Sequence, residues 1–343
     1  MSIPTVRTVV SQQGDGHLRA IEMAIPKLRP GQVAIETAAS LVSPGTEFGG
    51  WRGLAAQRES PQRRDQPQTF GYSCTGVVVG VAEDVQSLHK GDRVAAIGAG
   101  YALHSSFNLV PHNLCTRLPD DVSFEDGAFA MLAATAMHAV RRAALGFGEY
   151  ACVVGLGPVG LLTAMLLKLG GQYVIGWDPV QSRCDISRRL GIDNAVLPGH
   201  DAEEATMTFS GGNGLDGAVL AFGGEGSEVV KSLVGCMKRS PDGHPCGVIT
   251  VVGHPRFAYR DIESSGMSNI DLRRASRTGA GYHDLPWETG TDYPPVFMRW
   301  TTRTNLELCM RLIGEGRLNV GSSITHRVHV DSVDEQTQDM LDS

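Results

Sequence analysis

Gly155, Gly157 and Gly160 follow directly on the apolar run 152–154 and open a stretch whose apolar residues recur at helical spacing. A strand, a glycine turn and a helix in that order make a phosphate cradle. The first glycine permits the tight turn, the second lets the backbone approach a pyrophosphate, and the third lets helix and strand pack closely. Pro158 suits the first helical turn, where its missing donor costs little. Val159 stands beside it, among the N–H groups at the positive end of the helix dipole. Asp178 ends the next apolar run. A carboxylate there accepts hydrogen bonds from ribose hydroxyls and repels a 2′-phosphate, which predicts NAD(H) over NADP(H). Arg183 is near enough to soften that preference. The alternatives are a glycine turn without a ligand and, for Asp178, a helix cap.

These residues need a parallel sheet behind them. Strand signals at 150–154, 173–177, 217–222 and 247–252 alternate with helix signals at 158–169 and 182–190, which predicts such a sheet with helices on both faces. The first third reads differently: short strands at 32–37, 76–81 and 91–96 are separated by glycine and proline. The polar stretch 54–68 reads as an exposed loop, either a lid or a surface insertion without function. A helix is expected over 124–145, irregular chain from about 260 to 300, a helix at 305–314 and a strand at 323–328.

The chain has 343 residues, of which 42% are hydrophobic and 20% charged. That suits a soluble globular protein with two cores. A net charge of -7 argues against nucleic acid or an anionic membrane as the main partner. Seven scattered cysteines without a CxxC pair predict reduced thiols and no structural metal knuckle. The first residues carry no apolar signal-like core, and the apolar run 160–169 is too short to span a bilayer, so a cytoplasmic location is expected.

The chain resembles the medium-chain dehydrogenase/reductase superfamily over nearly its whole length. The resemblance is carried by 88–94 (with Lys90, Gly91 and Asp92), 118–128 (with Pro119, Phe124 and Gly127), the glycines 155–160, and 324–327 (with Thr325 and His326). It implies an α/β protein: a GroES-like β-rich catalytic domain made from both chain ends, residues 1–132 and 286–343, around a doubly wound Rossmann domain, residues 133–285. It also implies a homodimer or homotetramer and a small-molecule substrate. By the same resemblance, Phe222 and His254 contact the cofactor.

Zinc-dependent members of the family carry a cysteine, a histidine and a third cysteine or glutamate as ligands. Here Pro44, Tyr72 and Met131 stand at those positions. Proline has no donor, tyrosine is a poor substitute and a thioether does not suit Zn²⁺, so no metal is expected. The four-cysteine lobe expected after Val94 is also missing. The motif from Ser43 to Glu47, with 278–282 and 292–301, is similar to a zinc-less branch associated with sugar, cyclitol or other specialised metabolites. Relatives usually add a closing strand after the segment 330–341, so the last sheet edge is expected to be finished differently, for instance by a partner subunit.

Hydride transfer without a Lewis acid needs a hydrogen-bond donor at the reacting oxygen. Tyr72 is the candidate donor, Thr46 the hydroxyl that relays protons in relatives, and Glu47 a carboxylate that orients Tyr72 or binds a substrate hydroxyl. Against these stand space filling for Tyr72, turn stabilisation for Thr46 and a structural ion pair for Glu47. Trp51 and Tyr282 are candidate walls of the substrate pocket, with core packing as the alternative. His104 and His138 are expected to serve packing alone. The leading expectation is an NAD(H)-dependent, zinc-independent interconversion of alcohol and ketone on a polar, cyclitol- or sugar-like molecule. A zinc-free reductase of a conjugated C=C bond or quinone, and a catalytically dead dinucleotide-binding scaffold, are the other two.

Overall fold

The computed structural model describes residues 3–49, 51–60, 68–263 and 268–342, apart from the side chains of Trp51, Arg52, Leu341 and Asp342. The chain divides into two compact units. The first comprises Met1–Met131, Ala280–Gly316 and Ile324–Ser343, and the second Leu132–Gly279 and Arg317–Ser323.

The first unit begins with β1 (Val6–Gln12), β2 (Leu18–Ala24) and β3 (Gln32–Ser40), then α1 (Pro44–Glu47) and α2 (Trp51–Glu59). After these come β4 (Gln68–Thr69), β5 (Ser73–Val81), β6 (Arg93–Ile97), β7 (Phe107–Pro111), β8 (Cys115–Arg117) and α3 (Phe124–Gly127). The strands make two antiparallel sheets, ordered β2-β1-β4 and β7-β3-β5-β6-β8. The stretch expected to be an exposed loop from 54 to 68 is helical over its first part. Leu54 is fully buried and packs with Val10, Leu18 and Phe48, and one apolar anchor in an otherwise polar segment was too weak a periodic signal. The remainder of that expectation, 61–67, lies outside the described residues.

The second unit opens with most of α4 (Ala130–Ala143). The single helix expected over 124–145 is therefore two. The Ser73 hydroxyl donates to the carbonyl of Ala128 at 2.7 Å and accepts from the N–H of Met131 at 3.2 Å, which takes over backbone partners at the break. Alternation follows as read through β9 (Tyr150–Val154), α5 (Pro158–Leu169), β10 (Tyr173–Trp177) and α6 (Gln181–Arg189). It continues with β11 (Asn194–Val196) and α7 (His200–Phe209), which the sequence signals do not mark. Then come β12 (Gly217–Leu220), β13 (Gly223–Glu225), α8 (Ser227–Gly235), β14 (Cys246–Val251), β15 (His254–Arg256) and β16 (Asn269–Arg274). Six of these strands form one parallel sheet in the order β11-β10-β9-β12-β14-β16. The order reverses between β9 and β12, the topological switch point where such sheets bind ligands. Strand β16 falls inside the span expected to be irregular. It is an edge strand, largely exposed, and its four polar or charged residues mask the two apolar ones.

The chain then returns to the first unit with α9 (Leu285–Glu288), α10 (Thr302–Gly314) and α11 (Val333–Asp342). Helix α10 is opened by a capping box of Thr301 and Thr304 and buries Leu306, Cys309, Met310 and Ile313 along one face. The strand expected at 323–328 does not form: residues 324–329 carry no regular structure and most of them are exposed. Arg327 in this stretch makes a bidentate pair with Glu125, with contacts of 2.8–3.0 Å. In place of a closing strand, α11 packs against β2. Asp334 accepts from the Leu18 N–H at 2.8 Å and from Arg58 at 2.7 Å, and lies 2.8 Å from His17 Nδ1. Among the described residues, no helix is long and apolar enough to cross a membrane.

Candidate active site

The site residues fall in both units. In the second, β9 delivers the chain into a turn at Gly155, whose φ of +91° favours glycine. A Cβ on Gly160 would lie 1.7 Å from the Gly155 carbonyl oxygen, so the helix can approach the strand only with glycine there. A Cβ on Gly157 would meet nothing within 4 Å. That open face adjoins the first turn of α5, which starts at Pro158, has no side-chain cap and leaves its leading N–H groups, including that of Val159, without helical acceptors. This cradle fits a pyrophosphate.

Asp178 is 1% exposed at the end of β10. Its carboxylate accepts from the Leu156 N–H at 2.7 Å and the Val180 N–H at 2.9 Å, and faces the Arg183 guanidinium at 3.4 Å. It therefore stitches the glycine turn to β10 and also caps the residues before α6. Phe222 lies past β12, where its carbonyl accepts from the His254 N–H at 2.9 Å. His254 is exposed in β15, 3.2 Å from Arg274.

In the first unit Tyr72 enters from a tight passage. A Cβ on Gly71 would lie 2.4 Å from the His104 nitrogen, and its φ of +114° is again one that glycine tolerates. The side chains of Ser43 and Thr46 lie near enough to the Tyr72 phenol to favour its ionised form. Burial, with smaller contributions from the charges of Glu47 and Tyr282, pushes its pKa up to about 12. The phenol therefore keeps its proton throughout the neutral range. Glu47 is 3% exposed at its side chain. One carboxylate oxygen accepts from the Ser43 N–H at 2.7 Å, and the other lies 3.2 Å from His104 Nε2. His104 Nδ1 is 2.8 Å from the Ser40 hydroxyl.

Tyr282 is buried, stacks on His283 with ring centroids 4.0 Å apart, and accepts the Ala99 N–H at its phenol oxygen. The side chain of Trp51, the other expected pocket wall, lies outside the described residues. Ser43, Ser40 and His104 were not singled out for chemistry from sequence. Ser43 lay inside a motif that was noticed, but His104 is 57 residues from Glu47 and no spacing rule links them.

Zinc does not suit this donor set. Pro44 offers no donor atom, and burial keeps the Tyr72 phenol protonated through the neutral range, which makes it a poor ligand. A cavity of about 780 Å³ in the first unit, lined by His112, Arg303, Asp292 and Glu307 among others, contains none of the site residues. Within it Arg303 is paired with Asp292 at 3.0 Å.

Residues 29–143 match the alcohol dehydrogenase GroES-like domain. A sorbitol dehydrogenase from Bombyx mori is 34% identical over 39% of this chain, and the match spans 46% of that enzyme's length. A D-xylulose reductase from Scheffersomyces stipitis is 28% identical over 67% of this chain and 74% of its own. The solved 2R,3R-butanediol dehydrogenase from Bacillus subtilis shares the fold with a TM-score of 0.71 at 20% identity, covering 98% of this chain and 96% of its own. With the glycine cradle and the reversed parallel sheet, these matches identify the chain as a member of the medium-chain dehydrogenase/reductase superfamily of oxidoreductases.

Proposed function

We propose that this protein is a zinc-independent, NAD(H)-dependent oxidoreductase that interconverts an alcohol and a ketone on a polar, sugar- or cyclitol-like molecule. The observation that carries the proposal is the Tyr72 phenol, largely buried near Ser43 and Thr46 and kept protonated by that burial; by resemblance it stands where zinc-dependent relatives have a ligand histidine. The names of the sorbitol and xylulose enzymes support the substrate class.

Gly155, Gly157, Val159 and Gly160 hold the dinucleotide's phosphates, and Asp178 its ribose hydroxyls, with Arg183, Phe222 and His254 completing the cofactor contacts. When bound, the nicotinamide supplies or accepts the hydride. On reduction Tyr72 Oη gives its proton to the reacting oxygen and regains one from solvent; oxidation runs the same path backwards, the phenol proton leaving for solvent before the alcohol proton moves to Oη. A phenol that stays protonated at neutral pH is a donor. Thr46 links it to the surface, being exposed itself. Trp51 and Tyr282 line the substrate pocket. The protein works in the cytoplasm as a homodimer or homotetramer.

The test is a panel of polyols, cyclitols and matching ketones with NAD(H) and NADP(H), run on chelator-treated protein. NAD-linked turnover should persist without metal and fall by about 10²- to 10⁴-fold in Tyr72→Phe. Stoichiometric zinc that is needed for turnover, or no affinity for either coenzyme, overturns the proposal.

A further inference from the structure

Glu47, near enough to the Tyr72 phenol for its charge to be felt there, pairs with His104, and this pair is not used in the chemistry above. His104 is 5% exposed at its side chain and Glu47 3%. Both ends of the imidazole are engaged, with Ser40 at Nδ1 and Glu47 at Nε2. The backbone of His104 is also fixed: its N–H donates to the Phe70 carbonyl at 3.1 Å and its carbonyl accepts from the Val10 N–H at 2.8 Å. The Phe70 ring meets the imidazole edge-on, with centroids 5.0 Å apart.

Glu47 in turn controls a very short helix. The four residues of α1 start at a Ser43 that has no side-chain cap. Glu47 reaches back to the Ser43 N–H at 2.7 Å, while the N–H groups of Thr46 and Glu47 donate to the Ser43 carbonyl at 3.1 and 3.0 Å. This closed turn carries Ser43 and Thr46, the two hydroxyl side chains near the Tyr72 phenol. A helix this short has no cooperative stability of its own, so its geometry depends on such side-chain ties.

We propose that His104 is a positioning residue: through Glu47 it fixes the Ser43–Glu47 turn and so aims the Ser43 and Thr46 hydroxyls at the Tyr72 phenol. Ser40 fixes the imidazole from the far side. His104 touches neither substrate nor coenzyme and acts only through this chain of contacts. The inference deepens the assignment of Tyr72 as proton donor and rests on it for its catalytic consequence, but not for the geometry itself.

Two near-isosteric substitutions separate the contacts of the imidazole. His104→Gln keeps an N–H near the Nε2 position and hence the tie to Glu47, whereas His104→Asn keeps only a polar group near Nδ1. With 3-fluorotyrosine incorporated, the ¹⁹F resonance of Tyr72 is identified by its loss in Tyr72→Phe and followed in the apoprotein. His104→Asn should shift and broaden that resonance and lower kcat about 10- to 100-fold, with KM and coenzyme affinity changed less than about threefold. His104→Gln should restore both the resonance and kcat to within about threefold of the parent. Ser40→Ala, a milder change at a half-buried position, should shift the resonance in the same direction by a smaller amount, which covers the case in which the asparagine variant fails to fold.

An unmoved resonance in either His104→Asn or Ser40→Ala refutes the positioning role, as does a glutamine variant no better than the asparagine one. If the resonance moves while Tyr72→Phe turns over normally, the positioning role stands and the assignment of Tyr72 as donor fails. If Tyr72→Phe is inactive while the resonance stays put in the Ser40 and His104 variants, the reverse holds.

Discussion

The N–H of Ala99 donates to the phenol oxygen of Tyr282 at 2.8 Å, and the preceding N–H, that of Gly98, donates to the Tyr72 carbonyl at 3.0 Å. One short segment after β6 therefore fixes the ring of one tyrosine and the backbone of the other. Tyr282→Phe loses the hydrogen bond from Ala99, an exposed residue, and should cost about 1 kcal/mol in urea unfolding. Tyr282→Ala removes a buried ring and should cost about 3–5 kcal/mol. As a pocket wall, Tyr282 should raise KM in its Phe variant and leave kcat near the parent value. A kcat loss as large as that of Tyr72→Phe would move it from the wall into the chemistry.

Gly157 and Gly160 are three residues apart and should fail differently. An added methyl at Gly157 meets open space and no strained φ, so Gly157→Ala should fold with nearly parental stability yet bind coenzyme more weakly, by about tenfold or more. Gly160→Ala forces a methyl onto a backbone oxygen and should destabilise the protein by about 1–3 kcal/mol before any ligand is added. Thermal melts with and without NADH distinguish the two. Equal stability losses would show that Gly157 is a folding residue rather than part of the cradle.

Asp178 has a structural role, and the proposed function gives it coenzyme selection as well. In Asp178→Asn the amide cannot accept on both sides, so one of the N–H groups of Leu156 and Val180 loses its acceptor, at about 1–3 kcal/mol. Loss of the charge should also raise NADP(H) affinity on the order of tenfold, or 1.4 kcal/mol. The ratio of the two coenzyme Kd values measures this. An unchanged ratio would leave Asp178 with its capping role alone.

Asp334 makes the first unit acid-sensitive. Burial opposes its ionisation, but the Leu18 N–H, His17 and Arg58 outweigh that, and the carboxyl is held below the ordinary range. A lowered carboxyl pKa stabilises the fold above the unfolded value, about 3.9, and the contribution disappears as pH falls through the folded value. Asp334→Asn should therefore be less stable than the parent at pH 7, with the gap narrowing below about pH 4. A gap that stays constant with pH would mean that the charge plays no part in holding α11.

What the sequence disclosed depends on the range of the contact. The boundaries of β9, α5 and β10 coincide with those read from apolar periodicity and the glycine spacing, because each buries a continuous apolar stretch. Edge strand β16 and the helix around Leu54 were missed because partial exposure dilutes their pattern. Within the candidate site, Tyr72, Thr46 and Glu47 were singled out by their place in a motif. His104 was set aside as packing, since its bond to Glu47 exists only once β3, β5 and β7 have brought the preceding loop over α1. No local pattern encodes that.

The tie between His17 and Asp334 spans 317 residues of chain. During synthesis the second unit has all its sheet strands, which lie between residues 150 and 274, in hand well before Asp334 is made. The first unit must keep Leu18, Leu54 and Val10 waiting for the last helix. Closing so long a loop is slow, and the apolar surface left open in the interval is what a nascent chain offers to chaperones. Ribosome-bound chains halted before α11 should therefore carry a finished coenzyme fold beside an incomplete neighbour.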